Sequence, residues 1–276
     1  MNGLIVDNEG AIRLAIFFCA FAIIAIAERR LPHRRMSLPW VNRWLNNLGL
    51  SVVNTLCLRV LVPFSATFFA IYAVGNGWGL LEFLDLPTWL SILLFVLGFD
   101  CAIYFQHRLF HAVRPLWLLH RVHHTDLDYD ITTGTRFHPL SIIISMAIKI
   151  CLVLVLGGPV VAVLISEVLL NLTSMFNHSN IKIPSAVDTV LRNFVVTPDM
   201  HRVHHSSKFE EYNRNFGFNF PWWDRVFGTY QAQPELGHTH MVLGIDGFGE
   251  SESVRVQDLL MQPFRDNQPG KVGKHQ

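Results

Sequence analysis

Residues 139–180 read PLSIIISMAIKICLVLVLGGPVVAVLISEVLLNLTSMFNHSN. Two apolar runs, 139–156 and 159–177, flank Gly157-Gly158-Pro159, a helix-breaking turn. At about 1.5 Å rise per residue, each run is long enough to cross the hydrocarbon core as a helix. The stretch therefore predicts a transmembrane hairpin. Lys149 and Glu167 lie nine residues either side of position 158, at one depth, and are expected to pair across the hairpin.

Outward from the hairpin, further apolar runs at about 11–28, 49–74 and 88–106 bring the candidate spans to five. Arg59 and Pro63 interrupt the second run, which reads alternatively as a surface helix to about 58 followed by a shorter span. The first run follows Asp7 and Glu9 rather than a basic leader, so it reads as a retained span and not a signal peptide. Composition agrees: of 276 residues 51% are apolar and 16% charged, and the mean hydropathy is +0.32. Soluble domains carry about 25% charged residues, which argues against a soluble enzyme and excludes a disordered chain. A net charge of +1 offers no global basic surface for nucleic acid. Cys19, Cys57, Cys101 and Cys151 sit in apolar runs without C-x-x-C spacing, excluding a disulfide framework or a zinc ribbon.

Loop charge orients the bundle. Segment 28–43 carries a net +4, whereas the loop at 75–87 holds Glu82 and Asp85 and no base. Basic loops stay cytoplasmic, so the loop after the third span and everything beyond about 178 are expected in the cytoplasm. The expected fold is all-α: an integral membrane helical bundle of four to five spans with a cytoplasmic histidine-rich helical cap. A short amphipathic helix is expected around 252–262.

The chain has fourteen histidines, and ten fall between 107 and 205. His107 and His111 form an H-x3-H box; His120, His123 and His124 form H-x2-H-H; His201, His204 and His205 repeat the HRVHH pentapeptide. Residues at i, i+3 and i+4 share one helix face, so each box projects its imidazoles together. Imidazole is a metal ligand whose second nitrogen is left for a polar partner. His138 and His178 lie between the boxes; His178 is where the fifth span re-emerges, and His138 reads equally as a ligand or as a helix-entry residue before Pro139. His33, His238, His240 and His275 lack box spacing and read as surface or hydrogen-bonded residues. A structural zinc takes four ligands and a catalytic zinc about three, so this set is too large for one such ion. Two ions with five or six ligands each fit better, and imidazole with open positions suits iron that activates dioxygen. Asp100, two helical turns before His107, is a candidate to accept the N–H of His107 or a neighbouring box histidine. Asp126, Asp128, Asp130 and Asp199 flank the boxes and read equally as such acceptors or as solvated loop acids. Phe216, Phe218, Phe220, Trp222 and Trp223 read as lining of the cap or as an interface anchor.

With HRLFH at 107–111, HRVHH at 120–124, RFHP at 136–139, NHSN at 177–180 and TPDMHRVHH at 197–205, the chain resembles the fatty acid hydroxylase/sterol desaturase superfamily of membrane di-iron oxygenases. NRNFGFNFPWWDRVFGTY at 213–230 also resembles that family's closing segment, so the likeness covers about 100–230. It implies two Fe ions, O2 as co-substrate, and hydroxylation or desaturation of a lipid C–H bond, fatty acyl or sterol-like. It also implies electrons from a separate ferredoxin- or cytochrome-type protein, since no fused cytochrome domain is recognisable. On this reading 1–87 holds the N-terminal spans, 88–235 the catalytic domain with spans three to five and the cap, and 236–276 a C-terminal tail. A zinc-dependent membrane hydrolase needs fewer histidines, and a metal transporter places its ligands near midplane. The C-terminal Gly-Lys-His-Gln has no dilysine retrieval pattern, favouring a bacterial inner membrane over the endoplasmic reticulum.

Overall fold

The computed structural model describes residues 8–249 and 254–265. His275 and the extreme termini lie outside them. Helices, with two 3-10 turns at Thr133–Thr135 and Gln262–Phe264, make up the described elements: α1 (Glu9–Arg30), α2 (Trp40–Leu61), α3 (Ala66–Gly75), α4 (Leu80–Phe83), α5 (Thr88–Ala112), α6 (Arg114–His124), α7 (Pro139–Leu156) and α8 (Val160–Asn177). The short helices α9 (Ser185–Leu191), α10 (Pro198–His204), α11 (Phe209–Tyr212), α12 (Trp222–Val226), α13 (Gly237–His240) and α14 (Val256–Met261) follow. No β-strand occurs among the described residues, only two isolated bridges. The fold is all-α, and five segments are long and apolar enough to cross a membrane.

The interrupted second run resolves into two helices. Proline cannot donate the backbone bond a helix interior needs, and α2 ends at Leu61, two residues before Pro63. Ser65 then caps α3 by accepting from the Phe68 N–H at 3.2 Å. α2 also begins nearer the N-terminus than the apolar run, at Trp40, so that Arg43 and Asn47 enter the protein interior. Ala66 and Ala70 of α3, Phe95, Phe99 and Ile103 of α5, Val153 of α7 and Ala162 and Val163 of α8 form the largest buried apolar cluster. Small residues bring helices close together where lipid offers no hydrophobic drive between them. Leu14, Phe18, Ile23 and Ile26 of α1 and Leu45, Val52, Leu56 and Val60 of α2 are exposed, an apolar surface suited to lipid.

The two ends of the bundle differ. At one end α7 stops at Gly157, which takes φ +64°, and Gly158 takes φ +102°. The turn before α4 presses against this tip so closely that a Cβ on Gly79 would lie 2.3 Å from the Gly157 Cα. The other end gathers residues 31–39, α6, the loop 125–138 and the described residues after α8. There the Lys182 N–H donates to the Leu31 carbonyl and the His33 N–H to the Asn180 carbonyl, both at 2.8 Å.

The Lys149 ammonium lies 2.9 Å from Glu167, so the expected pair across the hairpin is present. Arg13 of α1 joins it at 2.6 Å from Glu167, and Thr67 donates to Glu9, one turn before Arg13, at 2.6 Å. Four helices are thereby tied at one depth.

Candidate metal centre

Nine box and span-end histidines converge at the loop-rich end. α5 contributes His107 and His111 from its last turns, α6 contributes His120, His123 and His124, and His178 caps α8. α10 contributes His201 and His204, with His205 as its C-cap. The set divides into two groups of mutually close ring nitrogens: His107, His111, His120, His124 and His204, and beside them His123, His178, His201 and His205. The division is crossed. α6 gives its i, i+4 pair to the larger group and its middle histidine to the smaller, whereas α10 does the reverse.

Backbone carbonyls set the orientation of three rings. A carbonyl only accepts, so the ring nitrogen facing it carries the proton. His107 Nδ1 donates to the Phe216 carbonyl at 2.8 Å, His178 Nδ1 to Ser174 at 2.7 Å, and His204 Nδ1 to Arg214 at 2.8 Å. Each Nε2 is left with a lone pair facing inward. His107 and His120 then approach Nε2 to Nε2 at 3.1 Å, as do His123 with His178 and His178 with His201. Two nitrogens each about 2.1 Å from one ion, at right angles around it, stand roughly 3.0 Å apart. The Nε2 atoms of His111, His204 and His205 are buried without a partner. Buried polar groups are nearly always satisfied, and metal ions within the two groups would satisfy these nitrogens. Burial first, then neighbouring imidazoles, drives the basicity of His123, His124, His201 and His205 well below the ordinary histidine range. Burial likewise brings His178 to about 3. The neutral imidazole is the ligating form, so the donor set fits two nitrogen-ligated metal ions.

The remaining candidates sit elsewhere. His138 caps α7: its Nδ1 accepts from the Leu140 N–H and its Nε2 lies 3.2 Å from the Leu260 carbonyl. It belongs to neither group. His33 and His238 flank Asp199 at 3.3 and 3.9 Å, also outside both groups.

Asp100 reaches away from the histidines. Its carboxylate accepts from the Asn219 and Phe220 N–H groups at 3.2 Å and from Trp223 Nε1 at 2.8 Å. It thus anchors the 213–230 segment. Asp224, which sequence reasoning missed, completes that anchorage by accepting from Phe216 N and Gly217 N at 2.8 Å and from the Thr229 hydroxyl at 2.7 Å. The segment so fixed supplies both carbonyls that orient His107 and His204. Its aromatic residues divide: Phe216 packs on the rings of His107, His111 and His204, while Trp222 is 38% exposed.

Of the flanking acids, Asp126, Asp128 and Asp130 are buried, and the half-buried Asp199 pairs with Arg202 at 2.6 Å. Asp126 and Asp130 clamp the Arg43 guanidinium at 2.8 and 2.6 Å, and Asp128 accepts from Ser37 N and Leu38 N at 2.9 Å. Burial raises the Asp126 carboxyl, but Arg43 and Arg136 outweigh it and bring it down to about 2. Arg136 also donates to the Val122 carbonyl at 2.8 Å, bracing α6 from behind. The signal for this brace was an arginine, Arg43, at the entry of an apolar run.

Residues 237–249 and 254–265 pack back over the boxes. Leu259 joins Leu50 and Val122 in one cluster, Ile245 and Phe248 join Trp117 in another, and Arg121 donates to the Gln262 carbonyl at 2.6 Å. Of the helix expected around 252–262, α14 is observed over Val256–Met261, and residues 252 and 253 lie outside the described residues.

A cavity of about 310 Å³ opens below the larger group. His107, His120, Phe137 and Phe218 border it at the histidine end, and it descends between α2, α5, α7 and α8 to Lys149.

The model of the fatty acid hydroxylase family matches residues 92–229, half of the chain. The ornithine lipid hydroxylase OlsE of Rhizobium tropici is 25% identical over 238 residues, 84% of this chain and 70% of that protein. The alkylglycerol monooxygenase of Homo sapiens is 31% identical over 160 residues, 56% of this chain and 34% of that protein. The Delta(7)-sterol 5(6)-desaturase erg3C of Aspergillus fumigatus is 25% identical over 268 residues, 88% of this chain and 79% of that protein. No solved structure matches the chain.

Proposed function

Because the chain belongs to the fatty acid hydroxylase family, we propose that it is a membrane-bound, O2-dependent oxidoreductase that hydroxylates or desaturates a lipid C–H bond. The observation that carries this reading is the pair of adjoining all-histidine groups at the inner end of a cavity between membrane helices. His107, His111, His120, His124 and His204 hold one ion, and His123, His178, His201 and His205 the other. Two bound irons supply dioxygen activation and removal of hydrogen from an unactivated C–H bond.

The chain does the rest. The carbonyls of Phe216, Ser174 and Arg214 keep three imidazoles in the tautomer that presents Nε2 inward. Phe137, Phe216 and Phe218 pack on the histidine rings and keep water from the reacting carbon. The cavity orients the lipid so that one carbon meets the histidine end. Electrons come from a separate donor protein of ferredoxin or cytochrome type. We place the boxes on the cytoplasmic face of a bacterial inner membrane. The net +4 segment at 28–43 packs at the box end and the acidic loop at 75–87 at the other, which supports that orientation.

The test is metal analysis of anaerobically purified protein, followed by oxygen uptake with a reductant. Two iron equivalents per chain are expected, and His123→Ala should lower metal content while His138→Ala should not. One tightly held zinc with no iron-dependent oxygen uptake overturns the reading.

A further inference from the structure

The cavity below the histidines is mainly apolar, but it carries a set of polar side chains that a plain hydrocarbon chain would leave unused. Ser141, Ser145 and Lys149 recur at i, i+4 and i+8 on α7 and run roughly 12 Å along the helix. Asn54 of α2, Gln106 of α5 and Asn171 of α8 face the same space. Polar side chains at membrane depth are costly, and they persist where they bond one another or serve a ligand. Some bond here: Gln106 Nε2 donates to Ser145 Oγ at 3.0 Å. Two do not complete their bonds. Asn54 Oδ1 and Gln106 Oε1 are buried with no partner. Asn54 is 6% exposed, and its Nδ2 donates to the Phe137 carbonyl at 2.8 Å. A carbonyl only accepts, so the orphan on Asn54 is its oxygen, a hydrogen-bond acceptor waiting for a donor.

Charge narrows the guest further. Apart from the two histidines, Lys149 is the one ionisable residue on the wall, and Glu167 already holds it at 2.9 Å. An anionic headgroup would bring only acceptors to the two unpaired acceptor oxygens, and a cationic one would share the chamber with Lys149 and the proposed metal ions. We infer that the lipid taken by this site carries a neutral hydrogen-bond-donating group, a hydroxyl or an amide N–H, and buries it in this chamber against Asn54 and Gln106. The inference rests on the oxygenase reading above and names its substrate class. About 310 Å³ is the lower end of ligand pockets. The chamber therefore takes the polar group and a short length of chain, and the oxidised carbon lies close to that group.

The test uses the full, iron-loaded chain in lipid nanodiscs and three probes: stearyl alcohol, its methyl ether, and stearate. Affinity is read by displacement of a fluorescent fatty alcohol. The alcohol should bind about tenfold more tightly than the ether, the value of one buried hydrogen bond, and more tightly than stearate. Asn54→Leu should weaken the alcohol alone and erase the preference. Equal affinity for alcohol and ether, tightest binding of stearate, or a preference that survives Asn54→Leu overturns the inference. If Asn54→Leu does not fold, the wild-type comparison decides by itself. A chain that holds no iron fails the oxygenase reading yet still reports its probe preference. An iron-loaded, oxygen-consuming chain that ignores the hydroxyl fails this inference alone.

Discussion

Replacing Asp224 by asparagine should loosen the metal centre from a residue that touches no ligand. Asp224 is fully buried, and its two oxygens serve the N–H groups of Phe216 and Gly217 and the Thr229 hydroxyl. Asparagine keeps one acceptor oxygen and turns an amide toward the other donor. One buried N–H is then orphaned, at a cost of about 1–3 kcal/mol. The loss falls on the turn whose Phe216 carbonyl fixes the proton on His107 Nδ1. Removing the partner of a ligating histidine typically costs 10–100-fold in metal affinity, about 1.4–2.8 kcal/mol. Chelator competition should therefore show metal binding weakened by that factor, the loss originating in the larger group, which contains His107, and passing to the other through the helices they share. Thermal unfolding of the metal-free variant measures the structural loss separately. A variant that is less stable but binds both equivalents with wild-type affinity refutes the role of this carbonyl.

Glu167→Gln should cost about 3 kcal/mol in denaturant unfolding, because Lys149 loses its partner at membrane depth and Arg13 keeps only Glu9, at 3.4 Å. The charge swap Lys149→Glu with Glu167→Lys should not restore stability, since the new lysine would face Arg13; recovery to wild type would remove Arg13 from the cluster. His178 is held near 3 in the fold against about 6.5 when unfolded. Its neutral form therefore contributes stability above about pH 6.5 that is lost progressively as pH falls toward 3. Metal-free protein should show its unfolding temperature dropping through that window, and a flat profile contradicts the buried neutral ring. A cysteine at position 208, in a cysteine-free background, should be shielded from an impermeant thiol reagent in intact cells, whereas one at position 80 should react; the opposite pattern inverts the orientation.

The histidine boxes were legible because H-x3-H and H-x2-H-H are helix periodicities, a local property of the chain. Which histidine joins which group was not, because the partition depends on how α6 and α10 face each other across about 80 residues of sequence. Asp100 illustrates the same limit. Helical spacing put it on the His107 face, but the donors that claim its carboxylate lie on Asn219, Phe220 and Trp223, roughly 120 positions away. Pro63 announced the break between α2 and α3, whereas the true start of α2 was hidden. Arg43 and Asn47 look like loop residues until Asp126, Asp130 and Thr132 are seen to satisfy them. The segment after 236 shows weak periodicity, and its described residues are held by a bridge, backbone bonds and small clusters.

The crossed use of the two HRVHH pentapeptides would make the two proposed ion sites one thermodynamic unit. α6 and α10 each give ligands to both groups, so shifting either helix empties part of both sites at once. Filling one site fixes the very helices that the other requires, and the second ion is spared that ordering entropy. Uptake should therefore be cooperative, with half-loaded chains scarce at substoichiometric metal. The same interlock makes loss abrupt: a chelator that strips one ion releases the restraint on its neighbour, and the chain passes from fully loaded to empty with little in between.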